Sequence, residues 1–210
     1  MRIIDGWKPV YITLTAVVLI IGALAPLGHD VVKPMTKDGG ILQIATSVLL
    51  CFTVLLALLR VITQEQPVLQ WVEAACILSI YAMREMDFHR IFTAEHVTRL
   101  GFYTGPFPLW EKLIGGTIVL LFIVITLHFL IANVPLLIQG LKKGLPRAWY
   151  FIVWAFLLVG AQLIDKPHIF KVAMKSLIEE TMELGAAMMV VFILLSFPRN
   201  VRRSLRQPIH

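Results

Sequence analysis

Charge is what this sequence has least of. Only 15% of its 210 residues are Asp, Glu, Lys or Arg, and 58% are hydrophobic. A soluble domain carries about 25% charged residues, so a mean hydropathy of +0.81 excludes a water-soluble globular protein. Cysteine is nearly absent. Cys51 and Cys76 both fall inside apolar runs, which excludes a disulfide framework, and neither has the basic neighbours of a reactive thiol. There is no Gly-x-x-x-x-Gly-Lys phosphate loop, no Gly-x-Ser-x-Gly elbow and no His-Glu-x-x-His pair. Lys and Arg exceed Asp and Glu, 19 to 13. No nucleic-acid module accompanies that excess, and in so apolar a chain it reads as membrane topology.

What the sequence does have is six apolar runs, near Val10–Leu27, Ile41–Ile62, Val68–Met83, Leu113–Leu137, Ala148–Ile164 and Leu177–Phe197. A hydrocarbon core about 30 Å thick is crossed by about 20 helical residues, and only helices satisfy their own backbone groups there. The expectation is an all-α polytopic bundle of six transmembrane helices, one domain over 1–210 with no soluble part. The first run has a cleavage-like Ala23-Leu24-Ala25, but Pro26 follows and the run is long enough to anchor, so it is read as a retained helix.

Orientation rests on two acid-free basic clusters, Lys142-Lys143-Gly144-Leu145-Pro146-Arg147 and the tail with Arg199, Arg202, Arg203 and Arg206. Both read as cytoplasmic. This predicts a bacterial-type inner (plasma) membrane protein with both termini cytoplasmic. Its partners are then the bilayer and anionic lipid headgroups at the C-terminal Arg cluster, with no nucleic acid.

The acids are distributed unevenly. Asp5, Glu65 and Glu73 fall on the side of the termini, and the other ten fall on the opposite side with His29, His89, His96 and His168. Three runs are also too short to span unless they draw polar residues in with them, the fifth ending in Gln162-Leu163-Ile164-Asp165. The third is therefore extended to Arg90 and carries Arg84-Glu85-Met86-Asp87-Phe88-His89-Arg90. The sixth carries Glu179, Glu180 and Glu183, with Ser176 to Glu179 reading as a capping box. On a continued helix Tyr81, Glu85 and His89 are four apart and share a face, as do Glu179 and Glu183.

Imidazole with carboxylates suits zinc, iron or manganese. The expected metal ligands are Glu85, His89, Glu180 and Glu183. Glu85, Asp87 and Glu183 are the candidate catalytic groups, and Arg84, Arg90 and Tyr81 are candidates for holding an anionic substrate. The functional expectation is a metal-dependent membrane enzyme acting on a lipid or lipid-linked substrate. The alternatives are a proton- or cation-coupled small transporter and a structural or accessory membrane subunit. A transporter would also make Glu73 matter, because ionisable groups inside a membrane mark ion pathways. Glu73 is otherwise assigned an ion pair with Arg60. His128, deep in the fourth run, is assigned an interhelical hydrogen bond. Phe102, Tyr103, Phe107 and Trp110 read as an interfacial aromatic belt, or as a lid over the recess.

Overall fold

The computed structural model describes residues 6–36, 40–63, 67–86, 100–165 and 174–196. Among them every regular element is helical. α1 spans Lys8–Leu24 and runs into a 3₁₀ turn at Ala25–Leu27, and α2 is the short His29–Val32. α3 spans Ile41–Ile62, α4 Val68–Glu85 and α5 Leu100–Thr104. α6 spans Leu109–Lys142, α7 Pro146–Asp165 and α8 Lys175–Ser196.

Each apolar run of the sequence contains one long helix. Four spans are long and apolar enough to cross a membrane: Lys8–Leu27, Ile41–Ile62, Leu109–Lys142 and Pro146–Ile164. α4 and α8 are set apart from these by their ionisable residues, Glu73, Arg84 and Glu85 in one and Lys175, Glu179, Glu180 and Glu183 in the other. The six-span expectation is thus supported for four.

α6 makes the membrane character physical. It is 34 residues long, about 51 Å at helical rise, and only 6% of its apolar window is buried. Leu113, Ile118, Leu121, Val124, Leu127 and Ile131 are all more than half exposed. Water does not tolerate a helix that is apolar all round, and lipid does. Several hydroxyls in the helices turn back onto their own backbone, as apolar surroundings favour. Thr53 donates to the Leu50 carbonyl, Ser79 to Ala75 and Thr181 to Leu177.

The chain forms two compact units, Met1–Thr53 with Leu137–His210, and Val54–Leu136. In the first, α8 packs along α7 and α1. Thr181 to Ala187 are buried without interruption, nearly two turns, so α8 is enclosed on every face. Gly185 permits this. A Cβ there would stand 2.6 Å from Val17 Cγ2 and 3.3 Å from Leu157 Cδ1. Tyr150, Leu157, Ala161, Met182, Ala186 and Met189 form the adjoining core.

The helix ends depart from expectation in two places. α4 stops at Glu85. Its cap, Met86, has ψ near 7° and leaves the helical path. The capping box is not formed either. α8 begins at Lys175 and Ile178 N–H already bonds the Met174 carbonyl, so Ser176 lies inside the first turn.

Candidate functional site

The second unit holds a polar pair that joins two of its helices. Glu73 lies on α4, five residues past Val68 and so about 7.5 Å along the helix axis. At helical spacing it has Leu69, Cys76, Ile77 and Ile80 beside the polar Gln70, and the other ionisable residues of α4, Arg84 and Glu85, lie at its far end. His128 lies on α6, nineteen residues from Leu109, near the middle of that helix. His128 Nδ1 and Glu73 Oε1 are hydrogen-bonded, 55 residues apart in sequence.

This overturns the expected Glu73–Arg60 pair, because the Arg60 guanidinium stands over the Trp71 ring, 4.7 Å from its centroid. A guanidinium on an indole face gains cation–π attraction, while the Glu73 carboxylate is bonded to the imidazole. The interhelical bond expected of His128 is present.

The two partners differ in exposure. The Glu73 side chain is 9% exposed and that of His128 57%. Glu73 Oε2 is buried with no hydrogen-bond partner among the described residues. A neutral imidazole bonds a carboxylate by donating Nδ1–H to one oxygen, and its Nε2 is then an acceptor.

The residues singled out in the sequence are placed as follows. Tyr81 and Glu85 lie one turn apart at the end of α4; Tyr81 is half-buried and Glu85 buried. Arg84 is exposed, its guanidinium 6.0 Å from the Tyr81 ring centroid. Asp87, His89 and Arg90 lie outside the described residues, as does the C-terminal arginine cluster. The shared face of Tyr81, Glu85 and His89 is therefore described only for its first two members. Glu180 is half-buried and Glu183 buried on α8, in the first unit, whereas Glu85 belongs to the second. Among the described residues, no three His, Cys, Asp or Glu side chains gather closely enough to hold a metal ion.

The aromatic segment is partly a core. Phe102 is fully buried, stacked on Phe107 and edge-on to Tyr103, with both centroids 5.2 Å away. Lys112 Nζ donates to the Gly105 carbonyl at 2.8 Å and closes the segment onto α6. Trp110 alone of the four is strongly exposed, as a belt residue would be. The sequence reading missed the pairing of Glu73 with His128. The signal for it was present, since an acid and an imidazole inside two apolar helices each need a partner there.

No family model, curated protein or solved structure matches this chain.

Proposed function

We propose that this chain is a proton-coupled membrane transport protein in which Glu73 and His128 exchange the proton. One observation carries the reading: a buried carboxylate bonded to a half-exposed imidazole within two predominantly apolar helices, away from their ends. Such residues in a membrane belong to ion and proton paths far more often than to inert scaffold. Imidazole is the side chain suited to passing protons near neutral pH. The unsatisfied Glu73 Oε2 supplies the second resting place for the proton.

In this reading α4 and α8 are the fifth and sixth spans. At 18 and 22 residues they are about 27 and 33 Å long, enough to cross. Both termini lie in the cytoplasm of a bacterial-type cell, on the side of Lys142, Lys143 and the tail arginines. The metal-dependent lipid enzyme needs His89 on the same ion as Glu85 and a residue of α8, and nothing among the described residues favours it.

The test is reconstitution into proteoliposomes with an imposed pH gradient, followed by an internal pH dye as cations are added in turn: sodium, potassium, magnesium and small organic ammonium ions. The expected result is gradient dissipation by at least one of them, above that of empty liposomes. Dissipation by none would remove the transport reading and leave the pair as a structural fastening.

A further inference from the structure

We infer that the end of the first unit formed by Trp7, Lys8, Lys142, Lys143, Arg147 and Trp149 is a docking face for the headgroups of anionic phospholipids. The inference is independent of the Glu73–His128 pair, which lies in the other unit.

The face is built by two local structures. The first is the turn from α6 to α7. Leu145 N–H bonds the Gly140 carbonyl at 2.9 Å and Gly144 N–H bonds the Leu141 carbonyl at 2.9 Å, with Gly144 at φ +65°. This is a Schellman closure, and it holds the backbone of Lys142 and Lys143 in one conformation. Pro146 opens α7 directly after it.

The second is the attachment of the N-terminal segment. The fully buried Tyr150 donates its hydroxyl to the Gly6 carbonyl, and the Trp7 and Trp149 rings meet with centroids 5.9 Å apart. Residues 6–8 are thereby fastened beside the first turn of α7.

The chemistry of the face selects its partner. Lys8, Lys142, Lys143 and Arg147 are all exposed, and the segments 6–11 and 140–150 contain no acid. Asp5, the nearest acid in sequence, lies outside the described residues. Trp7 and Trp149 are 41% and 39% exposed. Indole rings settle at headgroup depth, where one side is apolar and the other wet. Lysine and arginine at that depth attract an anionic leaflet. A phosphodiester lipid meets both demands, its phosphate on the cations and its glycerol and upper acyl chain on the indoles. A free phosphate would leave the indoles uncovered, and a choline lipid would bring no net charge.

The experiment uses the full chain in mild detergent and measures lipid binding by native mass spectrometry with phosphatidylglycerol and phosphatidylcholine. Wild type is expected to bind the glycerol lipid at least tenfold more tightly. The double variant Lys142→Gln/Lys143→Gln, altered at two exposed positions, is expected to show less than threefold preference. Lys33→Gln, an exposed lysine away from this face, keeps the full preference, as does Arg202→Gln/Arg203→Gln in the tail. Three results would overturn the inference: a double variant that keeps tenfold preference, a preference lost only in the tail variant, or equal binding of the choline lipid. Complete displacement of the lipid by millimolar inorganic phosphate would also overturn it, by assigning the face to the free anion.

Discussion

Two glycines separate a close approach to a rigid neighbour from one to a flexible side chain. A Cβ at Gly185 would lie 2.6 Å from Val17 Cγ2, 3.3 Å from Leu157 Cδ1 and 3.6 Å from Thr13 Cγ2. Non-bonded carbons rest at about 3.5–4.0 Å. Valine in a helix has one strongly preferred rotamer, so Val17 cannot swing aside and α1 must shift bodily. Overpacking of this kind costs about 1–3 kcal/mol, set against a helix-propensity gain from Gly to Ala of about 1 kcal/mol. Gly185→Ala is therefore expected to destabilise by up to about 2 kcal/mol.

At Gly160 the added Cβ would lie even closer to a neighbour, 2.2 Å from Met182 Cε. That atom ends an unbranched side chain with three rotatable bonds, which can move. Gly160→Ala should be neutral or stabilising by up to about 1 kcal/mol. The assay is the midpoint of thermal loss of the monodisperse peak on size exclusion in one detergent. For a chain of this size about 1 kcal/mol corresponds to roughly 2–4 °C. If Gly185→Ala melts with wild type, or Gly160→Ala melts below Gly185→Ala, α8 is not enclosed between α1 and α7 as described.

Other expectations follow from single contacts. Tyr150→Phe deletes the bond to Gly6 and should cost about 0.5–1.5 kcal/mol; hydrogen exchange of residues 6–10 should accelerate, and unchanged exchange would mean the segment is held by other contacts. Gly144→Ala places a Cβ on a backbone with φ +65°, at a cost of about 1 kcal/mol or more. Its midpoint should fall while Gly22→Ala, in open space within α1, stays at or above wild type. Cys51 is exposed on α3, yet within a span it faces acyl chains. A membrane-impermeant maleimide should leave it unlabelled in sealed vesicles and label it readily in unfolded protein. Labelling in intact vesicles from either side would place α3 against water.

The helices were legible in the sequence because each long apolar run has only one way to satisfy its backbone in lipid. α3 matches its run at both ends, while α6 outruns it, adding Leu109–Lys112 and Ile138–Lys142. The rank of α8 was not legible. Its three glutamates draw attention to one end, whereas Gly185-Ala186-Ala187, small residues that let neighbouring helices approach, mark it as the enclosed helix. The Glu73–His128 bond was hidden for a different reason. Charge alone favours Arg60 as partner of an acid, and only the fold reveals that Trp71 occupies the guanidinium instead. Of the recess residues, Glu85 belongs to one unit and Glu180 and Glu183 to the other.

Gradient dissipation in proteoliposomes carrying Glu73→Gln, beside wild type, tests the central claim most directly. Glutamine keeps the size of the side chain and an oxygen for His128 but cannot take up a proton. The account predicts dissipation at the background of empty liposomes with a melting midpoint within about 2 °C of wild type. A Glu73→Gln protein that dissipates the gradient as fast as wild type would contradict it.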